Sequence, residues 1–318
     1  MQRIEISEVG PRDGLQSIQA IMPTMAKKAW IKAEADAGVT EIEVGSFVPP
    51  KLLPQLADTG EIVQFARKLE GLTVAALVPN AKGAKNAIAA GAHKISIPLS
   101  ASETHSLANL KRTHDQVIDE IRQIAAMVNE VDEADRPYFE GGISTAFGCS
   151  LEGEVPEAKV VELAVRMLDA GCNEIGLADT TGYANPGQIR RLIRLVRAEV
   201  GDDKLQGIHL HNTRGLGLAN AVAALDEGIT TLDASLGGIG GCPWAPGASG
   251  NIVTEDLVFM LESMGYSTGI NLKKLLKVRE IVQQALPDEA LYGFTPDAGL
   301  PKGYTGGTWG AEPVGLSA

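Results

Sequence analysis

Cysteine is scarce in this chain. Cys149, Cys172 and Cys242 are the only three, and no two stand in a Cys-x-x-Cys pair. That excludes a disulfide framework and fits a reducing compartment, so a cytoplasmic location is expected. Positive charge is short as well: 28 Lys and Arg against 40 Asp and Glu leave a net charge of −12. Nonspecific binding to nucleic acid or to an anionic membrane is excluded on that balance, although a local basic pocket for a phosphorylated ligand remains compatible with it. No basic segment followed by an apolar stretch opens the chain, and Met1-Gln-Arg-Ile-Glu-Ile-Ser7 reads as a strand rather than a signal. No apolar run approaches the length of a membrane span.

What is present is an ordinary globular composition, 44% hydrophobic and 21% charged over 318 residues. Short β-rich runs alternate with longer amphipathic ones. The strand candidates are Ile4–Val9, Glu41–Gly45, Leu72–Val78, His93–Pro98, Tyr138–Ser144, Asn173–Ala178, Leu205–Leu210 and Thr230–Leu236. Helical patterns lie between them, among them Thr24–Ala37, Glu61–Leu69, Ala81–Ala90, Asp115–Val131, Glu157–Ala170, Pro186–Val200, Leu216–Glu227 and Thr254–Met264. This alternation predicts an α/β fold of the (β/α)8 TIM-barrel type. A doubly wound open sheet is the alternative, but the first turn, Gly10-Pro-Arg-Asp-Gly14, lacks the Gly-x-Gly-x-x-Gly signature that would support it. One domain is expected over residues 1–287, with Leu272–Leu286 as a capping helix. Residues 288–318, rich in Gly and Pro, are expected to form an irregular tail.

An internal repeat supports the barrel. Ala37-Gly38-Val-Thr-Glu-Ile-Glu-Val44 resembles Ala90-Gly91-Ala-His-Lys-Ile-Ser-Ile97, Ala170-Gly171-Cys-Asn-Glu-Ile-Gly-Leu177 and Glu227-Gly228-Ile-Thr-Thr-Leu-Asp-Ala234. The four copies precede every even-numbered strand, as four (βα)2 quarters would show. Their register sends Ile42, Val44, Ile95, Ile97, Ile175, Leu177, Leu232 and Ala234 toward the helices. Glu43, Ser96, Gly176 and Asp233 then face the barrel interior, a polar or small layer that suggests a site rather than a packed plug.

The strand ends carry the chemistry. His209 and His211, in Gly207-Ile-His-Leu-His-Asn-Thr-Arg-Gly215, are two residues apart and so share one face of a strand at its carboxyl end, where two imidazoles can grip one metal ion. A pair satisfied by hydrogen bonds is the plain alternative. Arg12 and Asp13 follow the first strand, Asp179 the sixth and Asn251 the eighth. Taken singly, Asp13 reads as a turn residue and Asn251 as part of a helix start. Together, Asp, two His and Asn form a mixed oxygen and nitrogen set suited to Mg2+ or Mn2+ with open positions for water or substrate. The glycine-rich run from Gly237 to Asn251 reads as a lid with Cys242 in its middle, where the thiol is either small filler or a proton carrier. Cys149 and Cys172 sit in apolar stretches and read as structural.

Val9-Gly-Pro-Arg-Asp-Gly-Leu-Gln16, Ser46-Phe-Val-Pro-Pro-Lys51, the His209/His211 motif and Gly241-Cys-Pro-Trp-Ala-Pro-Gly-Ala-Ser-Gly-Asn251 resemble the 3-hydroxy-3-methylglutaryl-CoA lyase family, from about residue 3 to about residue 287. The resemblance implies a divalent cation held by Asp13, His209, His211 and Asn251, and cleavage of a 3-hydroxyacyl-CoA into acetyl-CoA and a keto product. It further implies that Arg12 stabilises the developing enolate oxygen, that Cys242 helps move protons, and that Glu43 and Asp179 support the site. Gln16, beside Arg12 in the first motif, is expected among the substrate-binding residues. Where the family usually has a Tyr this chain has Gly142, and where it usually has a Ser this chain has Gly176. Both positions are expected near the acyl pocket, so its shape and hydrogen-bonding should differ. Another acyl group is therefore expected to be preferred over 3-hydroxy-3-methylglutaryl, and citramalyl-CoA lyase, giving pyruvate and acetyl-CoA, is an alternative. A Claisen-type synthase and a noncatalytic metal-binding barrel are rival classes. The expected partners are an acyl-CoA substrate and further copies of the chain, a homo-oligomer with a dimer as its simplest form.

Overall fold

Residues 1–240 and 250–306 are described by the computed structural model, and within them eight parallel strands close into a barrel in chain order. The strands are β1 Glu5–Glu8, β2 Glu41–Ser46, β3 Thr73–Leu77, β4 Lys94–Ser100, β5 Tyr138–Ser144, β6 Glu174–Asp179, β7 Leu205–Leu210 and β8 Thr231–Ala234. β8 pairs with β1 from Glu5↔Thr231 to Glu8↔Ala234, so no strand edge is left open.

The repeat works as a punctuation mark. Gly38, Gly91, Gly171 and Gly228 all take positive φ, between 81° and 113°, ending one helix in the left-handed conformation before the next strand begins. The register it sets is also the observed one. Ile42, Ile95, Ile175, Leu232 and Ala234 are fully buried against the helices, with Val44, Ile97 and Leu177 at 1% exposure. Full burial of such a side chain contributes about 1.5–3 kcal/mol. Three helices, Thr24–Ala37, Ala81–Ala90 and Pro186–Val200, have the expected ends. Asn80 and Asn185 cap the latter two by accepting from the amides of Gly83 and Gln188.

Two features depart from the expectation. A short helix, Glu103–Asn109, lies between β4 and the helix His114–Asn129, capped by Ser102 Oγ, which accepts from the His105 amide at 3.1 Å. The described part of the tail, moreover, is docked. Tyr292 N donates to Gly237 O at 2.7 Å, and Asp256 accepts from the amides of Phe294 and Thr295 at 2.9 and 2.6 Å, capping a helix over Phe294–Ala298. The Tyr304 hydroxyl donates to Glu262 in the core beyond it. The tail has little periodicity because these partners lie in the helix Thr254–Ser263 or the β8 turn, not in the tail itself. Among the described residues no helix is long and apolar enough to cross a membrane.

Candidate active site and metal centre

The first strand delivers two charged side chains to the barrel mouth through a wide turn. The amides of Arg12, Asp13 and Gly14 converge on the Val9 carbonyl at 3.1, 2.7 and 3.4 Å, a five-residue turn over Gly10–Gly14. Gly10 is needed there because a Cβ would stand 2.6 Å from Glu8 Oε1 and 2.9 Å from the Trp30 ring. The turn presents Arg12 between two carboxylates. Its Nη1 donates to Asp13 Oδ1 at 2.6 Å, and its Nε donates to Glu43 of β2. Glu43 also accepts from Ser96 Oγ of β4 at 2.9 Å. The guanidinium is thereby fixed in plane and height, as expected for a preorganised donor.

β7 supplies the imidazoles. Their Nε2 atoms stand 3.0 Å apart, and His211 Nε2 is 3.9 Å from Asp13 Oδ2. Asp233 on β8 accepts from His209 Nδ1 at 3.0 Å, which fixes the tautomer and turns Nε2 inward. An isolated bridge between His211 and Asn251 brings the latter alongside, and Asn251 Nδ2 donates to Asp13 Oδ2 at 2.8 Å. Ligand atoms of Asp13, His209 and His211 all lie within 4.8 Å of one another. Buried Asn251 Oδ1 and His211 Nδ1 have no hydrogen-bond partner among the described residues. Two nitrogens facing each other beside a carboxylate, with an amide oxygen left over, fit a divalent cation better than they fit a closed hydrogen-bond set.

The electrostatics agree. Burial would raise the Asp13 carboxyl, but Arg12 and the two imidazoles hold it far below its usual range. Burial, reinforced by the charge on His209, pushes His211 down to about 4, so the second imidazole is neutral and free to ligate. Burial also opposes charge on His209, yet the Asp233 carboxylate outweighs it and lifts His209 above its ordinary value.

The other expected residues are placed as follows. Asp179 ends β6 and accepts from the amides of Tyr183 and Ala184 at 2.9 and 3.2 Å, fixing its own turn, and burial pushes its carboxyl up to about 6. Gln16 is exposed on the helical turn Leu15–Ser17 after the Arg12 loop. Cys242 lies outside the described residues. Gly142 and Gly176 share one register row with Gly207, across three adjacent strands. They are not equivalent. A Cβ at Gly142 would find nothing nearer than 3.9 Å, whereas one at Gly176 would meet Glu140 Oε1 at 2.6 Å.

Two supporting carboxylates escaped the sequence reading. The sequence register places Asp233 in the interior, but its pairing with His209 depends on the offset between β7 and β8, which no single segment carries. Glu8 on β1 faces outward and is fully buried, with Oε1 accepting from Gly10 N and Leu236 N at 2.8 and 2.9 Å and Oε2 from Thr254 Oγ1 at 2.6 Å. It ties the Arg12 turn to the β8 turn and to the helix Thr254–Ser263. An acidic residue at an outward strand position was the available signal.

A closed (β/α)8 barrel with Asp, two His and Asn at its carboxyl mouth, beside a doubly anchored arginine, defines a barrel enzyme with a candidate metal site at the usual catalytic end. The chain belongs to the HMGL-like family, whose sequence model matches residues 3–282. It is 41% identical over 285 residues to the mitochondrial hydroxymethylglutaryl-CoA lyase of Mus musculus, covering 90% of this chain and 86% of the mouse protein. It is 38% identical over the same length to hydroxymethylglutaryl-CoA lyase YngG of Bacillus subtilis (strain 168), covering 90% and 94%. Among solved structures, an HMG-CoA lyase from Acinetobacter baumannii in complex with coenzyme A and 3-methylmalate superposes with a TM-score of 0.88 at 39% identity, covering 95% of this chain and 97% of that one.

Proposed function

We propose that this protein is a divalent-metal-dependent carbon–carbon lyase that cleaves a 3-hydroxyacyl-CoA of the 3-hydroxy-3-methylglutaryl type into acetyl-CoA and a keto acid. The observation that carries the reading is the convergence of Asp13, His209 and His211 within 4.8 Å, with Arg12 bonded to Asp13 at the same mouth. Relatives at about 40% identity named as hydroxymethylglutaryl-CoA lyases favour it over citramalyl-CoA cleavage, a Claisen-type synthase and a noncatalytic barrel.

Asp13, His209, His211 and Asn251 would hold the cation, and the mixed donor set favours Mg2+ or Mn2+. When bound, it supplies Lewis acidity that favours loss of the proton from the C3 hydroxyl. The remaining steps belong to the chain. The C2–C3 bond breaks, C3 becomes the carbonyl of the keto acid, and the electron pair passes to the thioester enolate. Arg12, held by Asp13 and Glu43, meets the charge developing on the thioester oxygen. The proton from the C3 hydroxyl leaves to solvent water and a proton delivered to C2 completes acetyl-CoA; Cys242 on the glycine-rich loop is the group we assign to that delivery, regaining its own proton from water. Glu43 and Asp233 hold Arg12 and His209 in place, Asp179 fixes the β6 turn beside them, and Gln16 with the bare backbone at Gly142 and Gly176 borders the substrate.

Purified protein is incubated with 3-hydroxy-3-methylglutaryl-CoA and Mg2+ or Mn2+, and acetyl-CoA release is measured. Release that stops in chelator and returns with metal supports the reading. No release from any 3-hydroxyacyl-CoA, with the metal bound, would overturn it.

A further inference from the structure

At the carboxyl ends of β4 and β5 a chain of polar groups leads from the helix layer into the barrel, and nothing in the metal chemistry uses it. Ser144 is the last residue of β5. Its strand parity is that of Glu140 and Gly142, which face the interior, and it is partly accessible there. Its Oγ is 2.9 Å from Ser100 Oγ, the register partner across on β4. Ser100 Oγ is in turn 2.7 Å from His105 Nδ1. His105 is 3% exposed, and its Nε2 is buried with no partner among the described residues. The assembly is rigid. His114 Nε2 donates to Ser100 O at 2.8 Å, and Ser102 N donates to Thr145 Oγ1 at 3.1 Å. Thr145 itself is held at φ 54°, a costly conformation for a β-branched residue that turns the chain out of the strand just after Ser144.

The orphaned nitrogen sets the direction of this relay. If Nε2 carried the imidazole proton, a buried N–H donor would stand unsatisfied, and such donors are rarer in folded proteins than unsatisfied acceptors. The favoured tautomer has the proton on Nδ1, and burial keeps the ring neutral by lowering its pKa. His105 Nδ1–H then donates to Ser100, Ser100 O–H donates to Ser144, and the Ser144 O–H is left to donate into the barrel. Beside it the space at Gly142 is open. One step beyond Ile143↔Leu177, Ser144 lies level with Ala178, whose partner is His209. Two strand spacings therefore separate it from the metal-ligand strand, about 10 Å, which leaves room for a short acyl arm between them. Deeper in the barrel Lys94 is already engaged by Glu41, Glu140 and Glu174, so an anion is disfavoured below this level.

We propose that Ser144, oriented by Ser100 and His105, is the specificity-determining donor that receives the terminal carboxylate of the acyl group. The assignment rests on the lyase reading and adds to it the residue that recognises the far end of the acyl group, opposite the metal.

The test compares binding of 3-hydroxyglutaryl-CoA and 3-hydroxybutanoyl-CoA, which differ only by the terminal carboxyl group on C4, measured by calorimetry on the Mg2+-loaded protein. Ser144→Ala is expected to weaken the first ligand by about 10-fold or more, as loss of a hydrogen bond to a charged group does, and to change the second by less than about 2-fold. His105→Phe reproduces part of that loss, and His105→Asn, whose amide N–H takes the place of Nδ1–H, restores it. Ser100→Ala gives a second route should Ser144→Ala not fold. Equal loss for both ligands, no loss for either, a wild type that does not distinguish them or binds neither, or His105→Asn no better than His105→Phe would overturn the assignment. Failure of the lyase reading shows separately, as absence of metal-dependent acetyl-CoA release by the wild type.

Discussion

The barrel interior holds two charged clusters that differ in one respect. At the mouth, Arg12 engages Asp13 Oδ1, and beside it Asp13 Oδ2, the two imidazole Nε2 atoms and Asn251 come together, leaving Asn251 Oδ1 and His211 Nδ1 without a partner among the described residues. In the lower interior, Lys94 stands 3.4, 2.8 and 3.2 Å from Glu41, Glu140 and Glu174, so the positive charge is built in. Both are polar and both are largely removed from solvent. Only the upper one leaves buried acceptors unmatched, and that mismatch, rather than polarity, marks it as a site. The lower cluster is architecture: its Glu140 carboxylate occupies the space that Gly176 leaves without a side chain, 2.6 Å from where a Cβ would stand.

Substitutions can break this contrast from either end. The largest effect is expected from His211→Ala, which should remove metal-dependent turnover and metal binding while the melting temperature of the metal-free protein stays close to wild type. Acetyl-CoA release and calorimetry read the two quantities. Next comes Arg12→Lys, which keeps the charge but cannot reach Asp13 and Glu43 with one planar fork. Turnover should fall by about 10²-fold, in line with loss of a preorganised oxyanion donor, while metal affinity is retained. Lys94→Met reverses the pattern. It leaves three carboxylates without their cation and should cost about 3 kcal/mol in chemical denaturation, with metal affinity unchanged.

The smallest effect concerns pH. Burial pushes the Glu8 carboxyl from 4.5 up to about 8. Its contribution to stability is therefore fully present below about pH 4.5 and is lost as pH rises to about 8. Glu8→Gln keeps an acceptor for Gly10 N and Leu236 N and removes that loss. The variant should gain steadily on wild type as pH rises from 5.5 and level off above about pH 8 in denaturation measurements. Glu34, raised in the same direction by burial, keeps part of the slope in both proteins.

Much of this was legible in the chain because the signals were local and repeated. The Gly-led repeat marked every even strand and its inward face, and Glu43 and Asp233 follow from that register alone. The two histidines needed only the two-residue period of a strand. Relations between strands were not legible. The Lys94 cluster gathers residues from β2, β4, β5 and β6, and which carboxylate reaches which cation depends on strand offsets that no single segment carries. The wide turn at Gly10–Gly14 is set by how closely Glu8 and Trp30 approach Gly10, again a contact made in three dimensions. The helix Phe294–Ala298 exists because Asp256, 38 residues earlier than Phe294, caps it.

The proposed cation site is the mouth cluster and not the lower one. Titration of chelator-stripped protein with Mn2+ by calorimetry, for wild type, His211→Ala and Lys94→Met, tests it most directly. One site per chain is expected in wild type and in Lys94→Met and none in His211→Ala. Wild type that takes up no metal, or His211→Ala that binds it as tightly as wild type, would contradict it.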